Sequence, residues 1–120
     1  SPQRRREKRF GAEGAPLRFI HDKLRELSYA GLPPERRRVL HRRAAEALER
    51  RYARTHGFAL MFPSLANHWA KAEVHHQASR YFGLAGDRAR AAHANAEAIF
   101  FYQSALAEGG VHLRSGAGAW

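Results

Sequence analysis

Apolar positions along the chain recur at three- and four-residue steps, and no stretch keeps the two-residue alternation of a half-buried sheet. That pattern predicts a set of helices divided by short Pro- or Gly-marked breaks. The first helix is expected over about 21–30, with Leu24, Leu27 and Tyr29 on its apolar side. Gly31 and Pro33-Pro34 end it, because Gly suits a C-terminal cap and Pro cannot continue a helix. Just before it, Leu17, Arg18, Phe19 and Ile20 read either as a short strand or as the apolar staple of a helix start. The second helix is expected over about 34–54, opened by Pro34 and Glu35. Leu40, Ala44, Ala47, Leu48 and Tyr52, with Val39, form its apolar stripe. Arg36, Arg43 and Arg50 lie seven apart and share the opposite side.

Residues 55–63 form an apolar connector whose Phe58, Leu60, Met61 and Phe62 are expected to pack on the core. Three further helices follow: about 64–72 with Leu65, Ala66 and Trp69; about 74–85 with Ala78, Tyr81, Phe82 and Leu84; and about 95–107 with Ala98, Ile99, Phe101, Tyr102, Ala105 and Leu106. Residues 86–93 continue or restart the middle one. The expected fold is all-α, with helices paired antiparallel through short turns. Organisation follows: a disordered basic lead-in over 1–16, a helical arm over 17–107, and a flexible Gly-rich tail over 108–120.

Composition bounds the function. A chain of 120 residues is one domain at most, and 44% hydrophobic with 27% charged residues is not a disordered-class balance. The absence of Cys removes disulfides, thiolate zinc sites and Cys nucleophiles. No apolar run reaches the ~20 residues of a membrane span, and no signal peptide is visible, so a cytoplasmic location is expected. The chain starts at Ser1 rather than Met, as a processed piece or a fragment would. The net charge of +10 is lopsided: residues 1–54 hold 16 Lys+Arg against 7 Asp+Glu, residues 55–120 only 5 against 4. A basic half raises nucleic acid as a partner, against the plainer reading of solvated helix faces.

Spacing in the C-terminal half matches a helix-pair repeat. With Gly86 at the eighth position of a tetratricopeptide register, Phe82, Ala98, Tyr102 and Ala105 fall where a large, a small, an aromatic and a small residue belong, while Gly110 stands where Pro is common. Small residues let two helices approach closely and aromatics fill the groove. A second set of motifs runs in order through the chain. Phe19-Ile20-His21-Asp22 leads a helix, Pro34-Glu35-Arg36-Arg37 precedes Leu40-His41, and Leu65-Ala66-Asn67-His68-Trp69 precedes Ala85-Gly86-Asp87 and Ala94-Asn95-Ala96-Glu97-Ala98-Ile99. This ordered set resembles the helical arm that follows the winged helix in bacterial signalling ATPases of the STAND type. The resemblance covers roughly residues 17–107. It implies a regulatory helical array in a larger protein whose AAA-like ATPase, and a fused adenylate or guanylate cyclase, kinase or transcription regulator, would lie elsewhere. No G-x-x-x-x-G-K-[ST] phosphate loop is present in this chain.

The remaining chemistry is thin. His68, His75 and His76 are the one His cluster in sequence, but the break near Ala72–Glu73 separates them, and a zinc site needs three or four ligands. His21 and Asp22 are neighbours that point ~100° apart on a helix. The Ser residues sit in no nucleophile elbow. No cofactor, metal or catalytic residue is expected. Trp69 and Phe100 are the candidate partner contacts, the latter because it must face away from Phe101. The expected function is a non-catalytic helical scaffold for interdomain or protein–protein contact. The alternative is a helix-turn-helix-like nucleic-acid module using Arg36, Arg37, Arg43 and Arg50 on phosphates. Against it, the second helix offers no Asn, Gln, Ser or Thr for reading bases.

Overall fold

A computed structural model describes residues 17–23 and 31–114. Every regular element among them is helical. Helix α1 spans Pro34–Tyr52, a single 3-10 turn spans Phe58–Met61, and α2, α3 and α4 span Phe62–Lys71, His75–Ala91 and Asn95–Arg114. Residues 17–23 are also helical. Of the two readings of Leu17–Ile20, the short strand is therefore corrected, and the residues belong to a helix start. Ile20 turns inward at helical spacing and is buried, so these residues behave as the apolar lead of a helix. The rest of the expected 21–30 helix, the lead-in over 1–16 and the tail beyond Arg114 lie outside the described residues.

Each helix packs on the next in antiparallel sense. Arg38 reaches Glu73, and His41 reaches His68, so α1 runs against α2. His75 pairs with Glu108, Ser79 with Ala105, and Phe82 with Phe101, so α3 runs against α4. The core between α1, α2 and α3 holds Ala45, Leu48, Leu65, Ala66, Trp69, Ala72, Ala78, Tyr81 and Phe82. Four of these nine residues are Ala, which brings the backbones close while Trp69 and Tyr81 fill the volume between. Phe58 and Phe62 set their rings against Tyr81 at centroid distances of 6.2 and 5.9 Å, so the apolar connector packs down as expected. Leu60 is the exception and stays exposed.

The two turns share one design. At Ala72-Glu73-Val74 the Val74 N–H donates to the Trp69 carbonyl at 2.9 Å. At Ala92-His93-Ala94 the Ala94 N–H donates to the Ala89 carbonyl at 2.8 Å. Both are six-to-one closures of a Schellman cap, which need a left-handed residue next to the last turn. Glu73 and His93 take that place, each at φ 60°, where Gly is the usual choice. The turns lie 20 residues apart and reverse the chain in the same way, which stacks α2, α3 and α4 in sequence order.

One helix extent settles an open alternative, and another departs from the sequence reading. Helix α3 runs unbroken through Gly86-Asp87 to Ala91. Gly86 is there for contact: a Cβ on it would lie 2.6 Å from the Tyr102 ring. Helix α4 continues past Ala107, through Gly109-Gly110, to Arg114. The expected tail from 108 thus begins as helix, because Glu108 and Gly109 are held against His75 and Ser79 of α3.

Candidate interaction surfaces

Helix α4 buries one residue, Ala98. Its inner side rests Phe101, Tyr102 and Ala105 on α3, with Tyr102 donating a 2.6 Å hydrogen bond to Asp87. That bond also raises the Tyr102 hydroxyl pKa, because it is made to the neutral phenol. The outer side presents Ile99, Phe100, Leu106 and Leu113, each more than half exposed, with Leu106 at 77%. Ile99, Leu106 and Leu113 are seven residues apart and form one line down the helix. No charged residue occurs between Ala98 and Ala107. Scattered exposed apolar residues are ordinary; a line of them along a 20-residue helix marks a contact surface.

Phe100 therefore lies where the sequence reading put it, facing out at 61% exposure. Trp69 does not. It is 4% exposed and belongs to the α1–α2–α3 core, so its assignment as a partner contact is corrected. The physical reason is its register: it follows Leu65 by one helical turn on the buried side of α2. Its indole Nε1 is buried with no hydrogen-bond partner among the described residues.

Helix α1 carries the basic surface. Arg36, Arg43 and Arg50 are exposed along one edge. Arg36 and Arg43 border an open groove of about 580 Å³ whose other walls are Phe19, Leu32, Val39 and Leu40, with Lys23 and Glu35 also lining it. Arg37 is half-buried, which removes it from that edge. Elsewhere the helix mixes its charges. Arg42 meets Glu46 at 3.6 Å and Arg38 meets Glu73 at 3.0 Å. Glu49 accepts a 2.5 Å hydrogen bond from Tyr81, whose hydroxyl pKa is raised by burial and by that bond. Glu35, Glu46 and the Arg–Glu pairs interrupt what would otherwise be a continuous positive face.

The histidines fall into two groups that differ from the sequence cluster. His68 turns away from His75 and His76. It stacks on His21 at 5.5 Å between ring centroids and meets His41 through an Nδ1–Nδ1 contact of 2.9 Å. One Nδ1 must donate and the other accept, so at least one ring is neutral at that nitrogen. Burial lowers the pKa of His41, and burial with the neighbouring His41, His21 and Lys71 charges lowers His68 to about 4. At the other end, His75 meets Glu108 at 2.5 Å and His76 lies 5.4 Å from His112. Among the described residues no group of three or more His, Cys, Asp or Glu is placed to hold a metal ion. His41 was invisible as a core residue because a His interrupts an apolar stripe rather than extending it. The available signal was that His21, His41 and His68 each stand in a different one of the ordered motifs.

Among the described residues no helix is long and apolar enough to cross a membrane. In comparisons with known proteins, no family model, no curated protein and no solved structure matches this chain.

Proposed function

We propose that this chain is a non-catalytic helical contact module, an arm that joins protein surfaces through the outer side of α4. The observation that supports it is the uncharged, exposed line Ile99–Leu106–Leu113 with Phe100 beside it, on a helix that buries only Ala98. Within the resemblance to STAND-type ATPases, such an arm sits between a nucleotide switch and further helical repeats, and the stacked α2, α3 and α4 have the order that a repeat-like array requires. The close approach of Gly86 to Tyr102 is the small-against-aromatic contact that the tetratricopeptide register calls for. In this reading any ATPase, cyclase or kinase activity belongs to other parts of a parent protein, and the chain acts in the cytoplasm.

One observation favours a second reading. Arg36, Arg43 and Arg50 lie in a row on the exposed edge of α1, so a basic helix could meet phosphates there. The carboxylates of Glu35 and Glu46 on the same outer surface weigh against it. A salt-titrated binding assay with duplex and single-stranded DNA separates the two. For a contact module, binding is weak and gone by ~200 mM salt. Tight binding that survives physiological salt and discriminates sequences would overturn the module reading.

A further inference from the structure

Residues 17–23 dock on the stack through a row of rings. Ile20 is 6% exposed and Leu17 rests against the core, so this short helical segment seats its apolar side. Beside Ile20, His21 lays its ring on His68 of α2, with centroids 5.5 Å apart and 28° between the planes. His68 in turn meets His41 of α1 at 5.2 Å between centroids, with the two Nδ1 atoms 2.9 Å apart. Three imidazoles from three separate elements stand in one row. The buried end of the row is His41 and the exposed end is His21, carried by the docked segment.

Such a row tolerates few protons. Between His41 and His68 one Nδ1 donates and the other accepts, so their contact survives one added proton and not two. The charged groups that act on the pair have the same sign. Lys71, one turn beyond His68 on α2, and His21 from the docked segment bear on both rings. On α1, Arg37 and Arg38 stand one turn before His41, and Arg38 is paired with Glu73. Asp22, the neighbour of His21, is exposed. Burial and the like charges hold His68 down to about 4 and lower His41 as well. The elements of the row differ in how firmly they are seated. Helix α1 buries five residues and α2 three, whereas Ile20 is the single buried residue of 17–23. A row driven apart by charge therefore separates at His21.

We infer that residues 17–23 are an acid-released latch: protonation of the His21–His41–His68 row lifts the segment from α1 and α2 while α2, α3 and α4 stay stacked. Release uncovers His41 and the seat of Ile20, and removes the groove wall that Phe19 provides beside Val39 and Leu40. The direction follows from linkage. In the docked state His68 and His41 lie below the ordinary imidazole value, so the released state binds more protons. Docking is complete above pH ~6.5, weakens as pH falls from there toward 4, and changes no further below. The latch is independent of the contact surface on α4, which neither gains nor loses a residue by it.

Hydrogen–deuterium exchange of the full chain at pH ~7.5 and ~5, corrected for the intrinsic pH dependence of amide exchange, tests the latch. Protection across residues 17–23 is expected to drop about tenfold or more at the lower pH, while peptides from α3 and α4 keep theirs. Unchanged protection of 17–23 overturns the inference. So does a loss that α3 and α4 share, because that is global unfolding. Two variants separate charge from packing. His68→Gln removes the central titrating ring, and His21→Phe keeps a ring against His68 without its proton. His21 is exposed, so His21→Phe retains the fold even where His68→Gln loosens it. Each is expected to shrink the acid-induced drop at 17–23 to about a third or less of its fold-change. A drop as large in His21→Phe as in the unaltered chain shows that the row does not drive release, and contradicts the latch.

Discussion

The two ends of the helical stack solve the problem of an outer surface in opposite ways. Helix α1 buries five residues, His41, Ala44, Ala45, Ala47 and Leu48, and turns Arg and Glu to water. Helix α4, one residue longer, buries Ala98 alone and turns Ile99, Phe100, Leu106 and Leu113 to water. The α1 end even buries a polar group, His41, which meets the half-buried His68, itself stacked on the exposed His21. The α4 end is held on α3 by Phe101 against Phe82, by the close approach of Tyr102 to Gly86, and by the His75–Glu108, Ser79–Ala105 and Tyr102–Asp87 hydrogen bonds. A finished outer surface carries its charge outside; α4 has the composition of a helix that expects another layer.

The largest expected effect comes from the core that both ends share. Trp69→Ala is expected to cost ~3–5 kcal/mol in urea unfolding, because it empties the space between α1, α2 and α3. Phe100→Ala on the outer side of α4 should stay within ~0.5 kcal/mol. A large loss at Phe100 would show that the α4 surface is covered within the monomer, which would erase the contrast between the ends.

Next in size is a pair of glycines three residues apart in α3. Gly86→Ala is expected to cost ~1–3 kcal/mol, since the new Cβ would meet the Tyr102 ring at 2.6 Å. Gly83→Ala has nothing within 4 Å of the new Cβ and should stabilise by ~0.5–1 kcal/mol through helix propensity. Equal effects at the two positions would remove the close packing of α4 on α3.

Most of α1 was legible because Ala44, Ala47 and Leu48 keep a helical period, and Pro34-Glu35 marks its start. The outward place of Phe100 was legible because two adjacent aromatics on a helix cannot share a face. The end of α4 was not. Gly109-Gly110 reads as a stop by propensity, and contacts with α3 far away in sequence, His75–Glu108, Ser79 against Gly109 and His76–His112, keep the helix going to Arg114. Trp69 was misread for a related reason: a large aromatic advertises a binding site and a core equally, and only the neighbouring helices decide which it is. The groove beside Arg36 and Arg43 depends on residues 17–23 lying over α1, which no local pattern encodes.

The histidines at the α1 end give it a pH response. His68 titrates near 4 in the folded chain and at ~6.5 when unfolded, so between those values the unfolded state binds more protons. The lowered His41 acts in the same direction. Stability should therefore be full above pH ~6.5, fall as pH drops from there toward 4, and flatten below. His68→Gln should reduce that slope in denaturant midpoints measured from pH 7 to 4. An unchanged slope would place the proton uptake elsewhere.

The smallest expected effect is at the turns. His93→Gly should gain a few tenths to ~1 kcal/mol by relieving a left-handed residue at φ 60°. Glu73→Gly should gain less, since it also gives up the exposed contact with Arg38. A loss at His93 would mean that its side chain contributes something beyond the cap.

The contrast between a charged end and an apolar end is tested most directly by the salt dependence of association. Sedimentation equilibrium of the full chain at ~50 and ~500 mM salt reads which end makes contacts, because charge-driven contacts weaken under screening and apolar ones do not. Association through α4 should hold or tighten at the higher salt and be removed by Leu106→Glu. Association that disappears at the higher salt, and that Arg36→Ala with Arg43→Ala removes instead, would place the contact surface on α1 and contradict the account.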